Sequence, residues 1–298
     1  MYRIRRVEEK CCEVYASDKI QSPIHLSIGQ ELASVAVCAA LRKTDKVFGS
    51  YRSHALYLAK GGKLRAFVAE LYGKSTGCAR GKGGSMHLVE PEAGLLGTSA
   101  IVGSLIPVAT GYAWAQKLKG SSVVTVCFFG DGATEEGCYF EALNFAALHS
   151  LPILFVCENN GYAIHTPLTA RQSTSITSRA QAIGVPAIST MTYEGTMRAA
   201  ESLVDRVASG YGATLLEVRA PRMKEHVGPG EDWGQGYRKR ETEAGWTDPV
   251  ECAEQDLDGP AVAARIRAEV DAEVAFAFAF AAASPYPGPE ELMEHLHG

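Results

Sequence analysis

Residues 121–162 constrain this chain more than any other stretch. An apolar run, Val123 to Phe129, ends at Gly130-Asp131-Gly132, and a second, Ile153 to Val156, ends at Glu158-Asn159-Asn160. Short β-branched and aromatic runs bounded by glycine predict buried parallel strands. Between them Phe140, Leu143, Asn144, Ala147 and Leu148 recur at helical spacing. Thr134 is placed to cap that helix, and Glu135 and Glu136 suit its positive end. The unit reads as strand–helix–strand, with both polar ends at the carboxyl edge of one sheet.

That edge brings the Asp131 carboxylate near the Asn160 amide oxygen. Magnesium takes about six oxygens in octahedral array and usually keeps ligand phosphates among them. Gly130 and Gly132 leave room for a phosphate to approach the backbone, and a helix amino end offers N–H groups to it. The residues therefore predict a magnesium–diphosphate site with Asp131 and Asn160 as ligands. The plainer alternative is a tight strand-to-helix turn followed by ordinary asparagine turn residues. A second strand that ends in Asn-Asn weighs against it.

Gly-Asp-Gly followed one strand later by Asn-Asn resembles the thiamine diphosphate motif. HLSIGQE (His25–Glu31), YRSH (Tyr51–His54), GKGGSMH (Gly81–His87), IVG (Ile101–Gly103), GDGATEEG (Gly130–Gly137) and ENNGYA (Glu158–Ala163) occur in that order. Together they resemble the alpha subunit of the thiamine diphosphate-dependent 2-oxo acid dehydrogenases, the group of pyruvate, branched-chain and acetoin dehydrogenases, from about residue 3 to the end.

The resemblance implies an α/β fold: a mostly parallel central sheet with helices on both faces, the diphosphate-side half of a thiamine diphosphate-binding fold. Residues 1–298 are expected as a single domain, with 259–298 a C-terminal helix and tail. The implied cofactors are thiamine diphosphate and Mg2+, the metal held by Asp131, Asn160 and the main-chain carbonyl of Tyr162. Tyr51 and Arg52 fall on the diphosphate, with Gly132 and Ala133 beside it. The backbone around Ile101, Val102 and Gly103 grips the aminopyrimidine, and Ala100 stands where the family commonly has glycine. His25, His54 and His226 are the implied catalytic residues, His226 also touching cofactor, and His87 is a further candidate. From spacing alone His25 reads rather as a capping or core histidine.

The implied activity is decarboxylation of a 2-oxo acid, or cleavage of acetoin, with transfer of the acyl or aldehyde unit to a lipoyl group or a specialised acceptor. One Gly-Asp-Gly…Asn-Asn unit accounts for one half of the cofactor pocket. In the resembled family a beta subunit carries the pyrimidine-side domain and the activating glutamate, in an α2β2 assembly that can join a lipoyl acyltransferase core. Two alternatives stay open: the amino-terminal half of a split transketolase-like enzyme, and a non-catalytic subunit of the same fold.

Composition narrows the partners. A net charge of −5 argues against a nucleic-acid surface, and no apolar stretch is long enough to cross a membrane. MYRIRRVEEK lacks the apolar segment of a signal peptide. None of the eight cysteines forms a CxxC or zinc spacing. Reduced thiols in a cytoplasmic protein are the expectation.

Elsewhere the pattern predicts helices over 2–16, within HLSIGQELASVAVCAAL, over 62–73 and over 259–284. A buried small-residue helix is expected after the loop GLLGTSAIVG, a strand over Ala213–Val218, helices in SRAQAIGVP and GTMRAAESLVDRVAS, and a short final helix in SPYPGPEELMEHL. Lys43–Lys46 reads as a solvated turn. CARGKGGSMH is a glycine-rich loop but not a P-loop, because Gly83 stands where Ser or Thr is needed. His165 to Ser178 is expected to be mobile. A loop as long as Arg219 to Arg240 is expected to be either functional or disordered. There His226 matches a histidine of the dehydrogenases, while Val227 replaces their regulated serine, so phosphorylation is not expected at that point.

Overall fold

The computed structural model describes residues 1–239 and 246–294. Arg240, at the end of the long loop, and positions 295–296 of the expected final helix lie outside them. The strands are β1 (Lys46–Ser50), β2 (Leu95–Ser99), β3 (Thr125–Gly130), β4 (Ile153–Asn159), β5 (Tyr162–Ala163), β6 (Thr166–Pro167), β7 (Ala187–Thr190) and β8 (Thr214–Arg219). The helices are α1 (Tyr2–Tyr15), α2 (Glu31–Ala40), α3 (His54–Ala59), α4 (Leu64–Leu71), α5 (Leu105–Leu118), α6 (Gly137–Leu148), α7 (Ile176–Ile183), α8 (Tyr193–Ala208), α9 (Pro249–Gln255) and α10 (Pro260–Ala283).

Six strands form one parallel sheet in the order β2-β1-β3-β4-β8-β7. The two central strands are those of the Gly-Asp-Gly and Asn-Asn runs, paired from Thr125↔Ile153 to Gly130↔Glu158. Every residue of β4 is buried, as a strand covered on both faces requires. Alternate side chains feed two cores. Val126, Phe128, Leu154 and Val156 join α1–α4, α8 and α10 on one face. Cys127, Phe129, Phe155 and Cys157 join α5, α6 and α7 on the other. Each such side chain contributes about 1.5–3 kcal/mol of burial. The parallel sheet with helices on both faces is thus as expected.

Several local expectations are corrected. Helix α2 starts at Glu31, so His25 caps nothing. Ile24, Leu26 and Ile28 alternate and are buried; that period of two belongs to extended chain. Gly29 ends it with φ +94°, where a Cβ would meet the Pro221 carbonyl at 2.5 Å. Thr134 does not cap α6. Its hydroxyl donates to the Asp131 carbonyl (2.8 Å) within a 3-10 turn over Asp131–Glu135. Lys43–Lys46 is not fully solvated, because Asp45 is buried and accepts the Arg42 and Val124 N–H groups. The chain after Gly94 holds a strand, β2, rather than loop alone. Helix α5 is not buried all round: Val108, Trp114 and Leu118 face solvent. Strands β1, β5, β6 and β7 and helices α3 and α9 lie outside the elements that the sequence pattern predicts.

Candidate functional site

In this strand order the chain leaves β1 for β2 and later returns to β1's other side as β3. Ligands of open α/β sheets bind at such a switch point, beyond the carboxyl ends of the strands. A cavity of about 320 Å³ lies there. The end of β1 supplies Tyr51 and Arg52, and β3 with its 3-10 turn supplies Phe129 to Ala133 and Glu135. Strand β4 and the following hairpin supply Glu158, Asn160 and Tyr162 to Ile164, and the long loop supplies Arg222 and His226. Val102, Gly103 and Gln30 complete the wall.

Asp131 and Asn160 therefore meet. They lie one and two residues beyond the paired Gly130 and Glu158 on neighbouring strands, and both line the same cavity. The Asn160 side chain is oriented at both ends: its oxygen accepts the Tyr162 N–H (3.1 Å) and its amide donates to Gln30 (3.4 Å). The first contact turns the chain so that Tyr162 returns to the cavity. Gly132 permits this return, since an added Cβ there would sit 3.1 Å from that of Ala163. A Cβ on Gly130 would meet nothing within 4 Å.

Arg52 is buried, and its guanidinium donates to the carbonyls of Leu26 (2.8 Å) and His226 (2.9 Å). Among the described residues no carboxylate lies within ion-pair distance of it. Burial pulls this guanidinium down to about 10; it remains a cation at neutral pH. A buried cation without an anion is costly unless one arrives. Burial, opposed by Arg52, pushes the nearby Glu158 carboxyl up to about 8.

His25, Tyr51 and His226 pack as a cluster, with ring centroids 4.5 Å (His25–Tyr51) and 5.2 Å (His25–His226) apart. The buried Nδ1 of His25 has no hydrogen-bond partner among the described residues. Burial, then Arg52, pushes His25 down to about 3 and His226 to about 4. Both rings are neutral at pH 7 and offer no positive charge to the cavity. Unfolded imidazoles protonate near 6.5, so the unfolded chain binds more protons as pH falls below that value. Stability should therefore be present above pH 6.5 and be lost toward pH 4. Urea midpoints at pH 7 and 5 test this: the drop should be shallower in His226→Gln than in the parent.

His54 lies away from the cavity. It is fully buried, with Nδ1 on Glu8 (3.1 Å) and Nε2 on Ser85 (2.8 Å), so both nitrogens are engaged. Glu8 also accepts the Ser27 N–H (3.2 Å), which ties the glycine-rich loop to the segment bearing His25. That loop is built round Glu70, whose carboxylate accepts the N–H groups of Ala79, Gly81, Gly83 and Gly84 at 2.7–3.1 Å. Ala100 is half-buried, His87 is exposed, and neither lines the cavity.

The segment 165–178 and the start of α7 pack against the 3-10 turn at the cavity. Arg171 contacts Asp131 and Glu135, Gln172 donates to Thr134 (2.8 Å), and Arg179 donates to Thr134 (2.9 Å). The long loop folds on Asp232, which takes Arg222 (3.1 Å), Arg238 (3.0 Å) and the Tyr237 hydroxyl. A larger hollow of about 680 Å³ opens beyond the hairpin, between β4, β8 and β7. Its buried acid, Glu217, is already held by Asn159 (2.6 Å), and it lacks Arg52 and Asp131. The chemistry converges on the smaller cavity.

Gln30, Glu158, Arg171 and Arg222 were missed. Gln30 and Glu158 sit inside the quoted words HLSIGQE and ENNGYA; the two arginines stand in loops without any pattern.

A doubly wound parallel sheet whose switch-point cavity joins a buried carboxylate, an oriented amide oxygen and a buried cation is the kind of site at which open α/β proteins bind ligands. The family model for the dehydrogenase E1 component matches residues 1–290, and the chain belongs to that family. It is 40% identical over 232 residues to the alpha subunit of acetoin:2,6-dichlorophenolindophenol oxidoreductase of Bacillus subtilis (strain 168), covering 76% of this chain and 69% of that one. It is 39% identical over 262 residues to the pyruvate dehydrogenase E1 component subunit alpha of Porphyra purpurea, covering 83% and 74%. The corresponding subunit of Zymomonas mobilis subsp. mobilis is 39% identical over 230 residues, covering 76% and 65%.

Proposed function

We propose that the chain is the alpha subunit of a thiamine diphosphate- and magnesium-dependent enzyme. It decarboxylates a 2-oxo acid, or cleaves acetoin, and passes the acyl or aldehyde unit to a lipoyl group or a specialised acceptor. One observation carries this reading: Asp131, Asn160 and Tyr162 reach one cavity together with a buried arginine that has no carboxylate within ion-pair distance among the described residues. Thiamine diphosphate, the cofactor of this family, supplies the carbanion chemistry when bound.

The chain's own residues do the rest. Asp131, Asn160 and the Tyr162 carbonyl supply oxygens to magnesium, and Arg52 and Tyr51 face the diphosphate. Val102 and Gly103 offer backbone to the ring system. His226 lines the cavity at the substrate side, and His25, which does not line it, packs against the His226 ring from behind. His54 acts from behind, through Ser85 and Glu8. The chain is the diphosphate half, a single domain, and works in the reducing cytoplasm, where its cysteines stay as thiols.

A beta subunit carrying the pyrimidine-side domain and an activating glutamate completes the site, in an α2β2 assembly that can dock on a lipoyl acyltransferase core. Exposed apolar side chains on α5 and on the turn before it support this partner: Ile101 in the turn is 71% exposed, and Val108 and Leu118 on α5 are 51% and 72% exposed. Contiguous apolar surface of this kind marks interaction sites. Val108→Asp should weaken assembly with the beta chain by about thirtyfold, the scale of a strong interface residue. Sedimentation velocity reads the loss, and calorimetry with thiamine diphosphate and magnesium should show full affinity only in the assembled complex. Tight binding by the isolated chain would refute the shared pocket.

A further inference from the structure

Arg171 lies on the loop after the hairpin, yet only a tenth of its side chain is exposed. Its guanidinium is committed at every edge. One terminal nitrogen donates to both oxygens of Glu135 (2.7 Å each), the other to Oδ2 of Asp131, and Nε donates to the Thr166 carbonyl (3.1 Å). Oδ1 of Asp131 receives no hydrogen bond from another described residue. Thr166 belongs to β6, the strand paired with the Tyr162 strand at Ala163↔Thr166 and Tyr162↔Pro167. One side chain thus joins the 3-10 turn bearing Asp131 to the hairpin bearing Tyr162.

We propose that Arg171 is the positioning residue of the metal site, holding Asp131 by Oδ2 so that Oδ1 faces the cation, and hooking the Tyr162 hairpin to the same carboxylate. The inference rests on the magnesium reading above and adds a residue to it. A carboxylate has two oxygens and can serve a guanidinium and a metal at once. Outer partners of this kind fix the angle at which a ligand meets its metal, and losing one typically costs 10–100-fold in metal affinity. Arg171 also balances the two carboxylates that meet here. Lysine could keep the charge but not the fork that spans Asp131, Glu135 and Thr166.

The test uses the assembled α–β complex saturated with thiamine diphosphate, with magnesium affinity measured by calorimetry and manganese affinity by electron paramagnetic resonance. Arg171→Met should lower both affinities about 10–100-fold, with Arg171→Lys between it and the parent. Thiamine diphosphate affinity at excess magnesium should change far less, a split that general unfolding would not produce. Unchanged metal affinity in Arg171→Met overturns the inference alone, as does a rise, which would make Arg171 a competitor for Asp131. A parent complex that takes up neither metal overturns the metal reading and this inference with it.

Discussion

Asp131→Ala should weaken magnesium-dependent binding of thiamine diphosphate to the assembled complex by about a hundredfold or more. Asp131 is 1% exposed and stands at the switch point of the sheet. It is the carboxylate that the strand order brings beside Asn160. Removing one member of a buried charge pair costs about 3–5 kcal/mol, and each 1.4 kcal/mol is tenfold in affinity. Asp131→Asn keeps an oxygen and the shape but not the charge, and should fall between. Calorimetry with and without magnesium separates the effects: the parent gains affinity on adding the metal, and the alanine variant does not. Arg171 still has Glu135 in both variants, so thermal melting should show folded protein.

Arg52→Met should produce the second large loss, confined to ligands that bear phosphate. Arg52 is a buried cation fixed by the Leu26 and His226 carbonyls, with no carboxylate within ion-pair distance among the described residues. Truncating a buried, hydrogen-bonded charge that pairs with a ligand costs about 2–5 kcal/mol, or roughly thirtyfold to several thousandfold. Binding of thiamine diphosphate should drop by that factor, while binding of unphosphorylated thiamine should scarcely move. Equal losses for both ligands would place Arg52 somewhere other than the diphosphate. Arg52→Lys should not restore the parent, because lysine cannot span the two carbonyls and the anion together.

The centre of the fold was legible because its physics is local. Val123–Phe129 and Ile153–Val156 are apolar on both faces, which only a covered parallel strand tolerates, and their polar endings then share an edge. The histidines show where this stops working. His25 sits beside Ile24, Leu26 and Ile28, whose alternation belongs to extended chain but runs straight into a helical pattern. His54 follows Arg52 by two residues, yet the start of α3 turns it away from the cavity onto Glu8 and Ser85. The glycine-rich loop carries no local sign of its shape, because Glu70, which organises it, lies on the preceding helix. Arg171 gave no sign at all: its partner is forty positions earlier, and a Ser/Thr-rich stretch carries no period. Such contacts exist only once the sheet has brought distant loops to one edge.

Manganese is the direct probe of the account, because it takes the oxygen ligands of magnesium and scatters anomalously. In crystals of the α–β complex with thiamine diphosphate and manganese, one anomalous peak should lie about 2.0–2.2 Å from an Asp131 oxygen, the Asn160 side-chain oxygen and the Tyr162 carbonyl, with diphosphate oxygens opposite. A metal peak that touches neither Asp131 nor Asn160 would contradict it.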